Sequence, residues 1–414
     1  MATGMASDVP ATVRLLSVTS ADGEFVIGRG DLGAYIAVPE PGAILITALQ
    51  EGCSLTEATA RASAVAGEDV DGADFLDALV ASGLLDEPGA ASDSEAAEPG
   101  AKPRGRQIRW IEGVSPATAR RLFGRLAWSA YLTAAGTAIA LLALRPDLRP
   151  SFDQMWFLPD PVLSMLMFLP VATLLLATHE AWHWLAGRAI GIPATFRFSN
   201  RGPFLVFETD LTQIVTVPRR RRYGPFLAGM AFDVTVLAVA LLLRLAHRED
   251  LFRLPFVLDR LLGVVVLFEI FSISWQVGAV FLRSDVYAVV ANALKCHDLY
   301  RVTWLTNKRR LWRLTEAENT ELTGASSRDR AVANWFGVLY LVGLCVVAWF
   351  YLRFAIPFVV SMATWAAGNI AYFDVRGLAF WESLLLLAYV VAGRLAAPLL
   401  ALRGRRLRRE GVLR

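Results

Sequence analysis

Apolar positions in this chain follow two regimes. Between residues 12 and 86 they recur at short intervals among polar ones. Phe25-Val26-Ile27 and Ala34-Tyr35-Ile36-Ala37-Val38 read as strands, broken by turn residues at Asp22-Gly23 and Gly28. Ser54-Leu55-Thr56-Glu57 has the spacing of a capping box at a helix start. Phe75, Leu76, Leu79 and Val80 mark another helix that ends at Gly83. These elements predict a small α+β soluble domain over residues 1–86. Residues 87–106 are rich in Pro, Gly, Ala, Ser and acids with nothing to bury, and predict a flexible linker. Beyond them the apolar blocks approach the roughly 20 residues that span a bilayer. The blocks at 126–144, 161–190, 223–246, 257–281, 334–352 and 379–402 predict a mainly α polytopic membrane domain over 107–414, with about six transmembrane helices.

Composition agrees with that division. Of 414 residues, 55% are apolar and 19% charged, so much of the apolar surface must meet lipid. The net charge of +3 is too small to suggest a nucleic-acid partner, and the basic residues sit in short clusters beside the apolar blocks. Such clusters report orientation. Lys102, Arg104, Arg106, Arg109, Arg120, Arg121 and Arg125 precede the first span and put the N-terminal domain in the cytoplasm. Six spans then place Arg219 to Arg222, Lys308 to Arg310 and the tail Arg403 to Arg409 on the same side, provided that the apolar stretch 354–372 does not cross. Residues 1–30 hold no apolar run of signal-peptide length, so the first membrane helix is expected to direct insertion. Cys53, Cys296 and Cys345 share no metal-type spacing and read as free thiols.

The candidate chemistry lies in the second apolar block. Thr178-His179-Glu180-Ala181-Trp182-His183 is an H-E-x-x-H motif, in which residues four apart share a helix face. Two imidazoles can then reach one Zn²⁺ while Glu180 stands beside it as general acid/base for peptide hydrolysis. Ionisable residues inside a membrane helix are costly and mark functional sites, and two of the chain's four histidines fall in this motif. A catalytic zinc takes a third protein ligand. Asp285 ranks first, because it follows the fourth block at the same membrane side as the motif. Asp233, in the third block, and Glu269, midway along the fourth, are deeper alternatives. For Asp233 an interhelical polar contact is the stronger reading. Ala194 to Phe198 and Phe204 to Glu208, flanking Ser199 to Pro203, predict a hairpin. It reads either as an edge for an extended substrate or as a plain interfacial hairpin. Trp182 and Trp184 read as interface anchors.

With His179-Glu180-x-x-His183 in a membrane helix and a distant Asp285, the chain resembles the site-2 protease family of intramembrane zinc metalloproteases over roughly residues 120–300. Gly224-Pro225 to Asp233 looks like that family's third core helix. The family's aspartate usually stands in a Leu-Asp-Gly motif, where this chain has Ser284-Asp285-Val286. Tyr287 and Cys296-His297-Asp298-Leu299-Tyr300 are similar to the peptide zinc metalloprotease branch found with peptide natural-product systems. The resemblance implies zinc on His179, His183 and Asp285, with Glu180 catalytic. It also implies a peptide or membrane-protein substrate and a bacterial cell membrane. The N-terminal domain is similar to PqqD-like domains, through Gly33-Ala34-Tyr35, the helix from Ser54 and Leu79-Val80-Ala81-Ser82-Gly83-Leu84-Leu85. That similarity implies a winged-helix-like fold which binds leader sequences of ribosomally made peptides. The rival expectations are a peptide transporter or immunity protein that uses the same domain without proteolysis, and a degenerate homologue with a structural metal.

Overall fold

The computed structural model describes residues 10–21, 24–29, 34–86, 114–151, 154, 156–192, 194–201, 204–389 and 391. The expected linker and the C-terminal basic tail lie outside these residues, as do the turn Asp22-Gly23 and the last part of the block 379–402. The described chain divides into two units. Gly191–Thr195 and Asp210–Arg222 group with the N-terminal residues, and the rest forms the second unit.

In the first unit β1 (Leu16–Ala21), β2 (Glu24–Arg29) and β3 (Ala34–Val38) form an antiparallel sheet in that order, with Val18 opposite Ile27 and Ile27 opposite Ile36. Gly28 does not break a strand. It lies inside β2 opposite Tyr35, whose ring covers the place where a Cβ would stand. A glycine signals close approach here as readily as a turn. Three helices follow: α1 (Glu40–Gln50), α2 (Leu55–Ala66) and α3 (Gly72–Ala81). The capping box at Ser54 and Glu57 opens α2, and Asp71 caps α3 through the amides of Ala73 and Asp74.

Helix α1 has no counterpart in the predicted elements. Its Ile44-Leu45-Ile46 run carries no helical signal alone, but Pro41 in the first turn suits a helix start. Gly42, Leu45, Ile46 and Leu49 then share its buried face. With Ile27 and Leu79 they form the core of the unit. The 3₁₀ turn Thr212–Thr216 packs on β1 and β3 with Ile214 buried. Asp210–Arg222, which the sequence assigns to the membrane domain, groups with the first unit.

Among the described residues the second unit is helical apart from one hairpin and short turns. Its helices are α4 (Pro116–Leu122), α5 (Arg125–Leu144), α6 (Pro161–Ala189), α7 (Arg219–Arg248), α8 (Phe256–Gly278), α9 (Asp285–Ala293), α10 (Leu299–Leu311), α11 (Glu316–Gly324), α12 (Ser327–Phe350), α13 (Ile356–Tyr372) and α14 (Leu378–Tyr389). The hairpin is β4 (Thr195–Arg201) with β5 (Phe204–Asp210); its strands run further into the expected turn than the alternation suggests. Among the described residues, four helical stretches are long and apolar enough to cross a membrane: Pro116–Leu144, Pro161–Ala189, Arg219–Arg248 and Ser327–Tyr372. The apolar stretch 354–372 continues from α12, because a π-turn at Tyr351–Ala355 joins α12 and α13 without a break.

Helix α7 is the most enclosed of the four. Leu237, Ala238 and Leu241 pack with Ala138 of α5 and Val265 and Val266 of α8. A second cluster gathers Phe281, Leu299, Leu305 and Phe336 around α10 and α12.

Candidate metal centre

Helix α6 carries His179 and His183 one turn apart, both buried, with their rings edge to face and centroids 5.0 Å apart. Each ring is held from behind. His183 Nδ1 lies 2.7 Å from the carbonyl oxygen of Pro225 in α7. Since a carbonyl only accepts, Nδ1 carries a proton and donates it there, which leaves Nε2 as the atom that faces forward. His179 Nδ1 lies 2.9 Å from Asp233 Oδ1, also in α7, and donates to that carboxylate in the same way. Ser272 of α8 donates to the other oxygen of Asp233 at 3.3 Å. Asp233 is thus the interhelical contact that the sequence favours for it, and it braces a histidine.

The two Nε2 atoms stand 3.2 Å apart, and Asp285 Oδ2 lies 3.1 Å from each. Three electron-rich atoms at this spacing require a positive charge among them, either a shared proton or a metal ion. The spacing suits a metal. Zinc–nitrogen and zinc–oxygen bonds of about 2.0–2.1 Å in tetrahedral array put ligand atoms about 3.3 Å apart. Donor types agree: two imidazole nitrogens and a carboxylate oxygen, each imidazole with its far nitrogen hydrogen-bonded, as metal-ligating histidines have. Among the described residues, His179, His183 and Asp285 are the group of three that can hold a metal ion.

Asp285 reaches this point through the chain reversal after α8. Arg283 adopts a left-handed conformation with φ 58°, uncommon for a residue with a side chain, and its guanidinium lies 4.2 Å over the Tyr300 ring. Ser284 caps α9, and Asp285 is its first residue, where the helix dipole favours a negative charge. Gln276, near the end of α8, ties the turn down. Its side-chain oxygen accepts the Asp285 amide at 3.0 Å, and its backbone oxygen accepts the Ser284 hydroxyl at 2.8 Å. The difference in depth between His179 and Asp285 that linear spans imply disappears, because this turn and the start of α9 fold back toward α6.

Glu180 follows His179 on α6. Its Oε2 accepts the backbone amide of Thr209 in β5 at 3.1 Å, and the Thr209 hydroxyl donates to the Glu180 carbonyl at 2.7 Å. The hairpin therefore orients this carboxylate. Glu269 is buried on α8, and neither carboxylate oxygen makes a hydrogen bond; it does not join His179, His183 and Asp285. Trp184, expected at the interface, is instead buried, whereas Trp182 directs its indole N–H toward Tyr131.

Comparison with family models, with curated proteins and with solved structures finds no match.

Gln276, Thr209 and the carbonyl of Pro225 carry no sequence signal as site residues. The Pro225 carbonyl and the Thr209 amide are backbone atoms, which most residue types offer, the Thr209 hydroxyl meets another backbone atom, and Gln276 acts across a turn whose path the sequence does not reveal.

Proposed function

We propose that this protein is a membrane-embedded zinc endopeptidase that hydrolyses a peptide or membrane-anchored protein near the cytoplasmic face. The observation that carries the reading is the convergence of Asp285 Oδ2 on His179 Nε2 and His183 Nε2, which with Glu180 lie on a helix apolar enough to cross a membrane. His179, His183 and Asp285 would hold the zinc. When bound, zinc supplies a Lewis acid that polarises the scissile carbonyl and makes water nucleophilic near neutral pH.

Everything else falls to the chain. Glu180 takes the proton from the attacking water and passes it to the departing amine. The Thr209 amide holds one carboxylate oxygen and leaves the other for this transfer. Asp233 and the Pro225 carbonyl keep both histidines in the tautomer whose Nε2 is free to bind. The cytoplasmic N-terminal domain, read as PqqD-like, captures the peptide to be cut. Six spans with the basic clusters on the cytoplasmic side are part of this proposal. Maturation of a ribosomally made peptide in a bacterial cell membrane is the role that joins the two parts.

The test is metal content and proteolysis of the purified full chain. We expect about one zinc per chain, retained in Glu180→Gln, while peptide cleavage in that variant falls by about 10²–10⁴-fold, the usual share of general acid–base catalysis. Wild-type protein without zinc, or Glu180→Gln with undiminished cleavage, would sink the proposal.

A further inference from the structure

Helix α7 crosses the face of the two histidines at Gly229. An ideal Cβ on that residue would overlap Nε2 of both His179 and His183, far inside van der Waals contact, and the Cε1 of His179 as well. At Gly224, one and a half turns earlier on the same helix, the nearest atom to such a Cβ is a Trp128 ring carbon at 3.9 Å. The restriction is therefore local to the histidine pair.

We infer that Gly229 is a positioning residue for the metal: the hydrogen in place of a side chain leaves the room in which the cation binds to both imidazoles. The inference rests on the zinc reading above. The physical argument is one of shared space. A methyl carbon at 229 would stand about as far from the two nitrogens as a coordinated ion does, about 2.1 Å. Two points that close to the same pair of nitrogens, themselves 3.2 Å apart, cannot be more than about 3 Å from each other wherever around the pair they sit. A methyl there crowds the ion at any of these positions, and its overlap with both nitrogens pushes the rings from the spacing at which they share one ion.

Backbone geometry gives no other reason for glycine. Gly229 lies inside α7 and is not among the residues with positive φ. In a helix interior alanine is favoured over glycine by roughly 1 kcal/mol, so propensity opposes the residue found here. Close packing of small residues is a general feature of membrane helices. At 229, though, the atoms that an added methyl meets first are the proposed metal-binding nitrogens, not a neighbouring backbone.

The experiment compares zinc content and competition against a chelator for the detergent-purified full chain, Gly224→Ala and Gly229→Ala. Circular dichroism and gel filtration report folding. Wild type and Gly224→Ala should hold about one zinc, and Gly229→Ala should fold but lose zinc or bind it at least about 100-fold more weakly. Equal zinc affinity in folded Gly229→Ala overturns the inference and leaves the protease reading standing. Wild-type protein without zinc overturns both. If Gly229→Ala does not fold, the triple variant His179→Ala/His183→Ala/Gly229→Ala removes both rings that the methyl strikes. Recovery of folding in the triple variant supports the inference, and its failure to fold while His179→Ala/His183→Ala folds overturns it.

Discussion

The two units of this protein use buried polarity in opposite ways. In the first, the interior is Ile27, Leu45, Ile46, Leu79 and their apolar neighbours, and the local polar groups serve as caps at Ser54 and Asp71. The buried Arg29 reaches out to the Leu84 carbonyl and to Asp86 at the rim. In the second, large apolar side chains such as Leu126, Leu132, Val346 and Leu352 are exposed, whereas His179, His183, Asp233 and Glu269 are buried. In water, burying apolar area drives folding; in lipid that term is absent between helices, and packing with interhelical hydrogen bonds takes its place. A buried leucine therefore tells much about the first unit and little about the second. A buried aspartate does the reverse.

This contrast can be broken most sharply at Asp285. Asp285→Asn keeps size and hydrogen bonding but removes the charged oxygen shared by both imidazoles, and should abolish stoichiometric zinc. Asp233→Asn should weaken zinc binding by about 10–100-fold, as loss of a histidine's brace does. Zinc titration of the purified variants measures both, and the reverse order would move the third ligand into α7. Neither change should unfold the first unit.

Leu45→Ala makes the opposite cut. The residue is fully buried, so its truncation should destabilise the first unit by about 2–5 kcal/mol. Protease sensitivity within residues 10–86 should rise, while the zinc content of the chain stays unchanged. A parallel loss of zinc would mean that the two regions are not independent. The smallest effect is expected for Ser54→Ala, which removes the α2 cap and should cost about 1 kcal/mol on the same proteolysis assay. No measurable change would show that the tertiary contacts of α2 outweigh its cap.

Several features were legible from local pattern. The capping box at Ser54, the helix ending near Gly83, the hairpin and the long apolar helices depend on neighbours within a few residues. So does the placement of His179 and His183 on one helix face, since spacing by four leaves no other arrangement. That they could share one cation did not need a fold to be suspected. Helix α1 was missed because Ile44-Leu45-Ile46 follows the strand-like run 34–38 and suits either element. Gly28 was misread because a turn and a cross-strand ring contact call for the same residue.

What the sequence by itself determined is the local conformation, the division into a small α+β segment and long apolar helices, and the pair of imidazoles with Glu180 beside them. The tertiary structure alone decided the rest. It set Asp285, and not Asp233 or Glu269, within 3.1 Å of both Nε2 atoms, and it gave Asp233 the other side of His179. It brought Thr209 to Glu180, Gln276 to the turn before α9, and Gly229 against the imidazoles. The physical reason is range. Helix period and bilayer thickness act along the chain, whereas the choice among three acids depends on how α7, α8 and α9 cross α6, which no spacing in the sequence records.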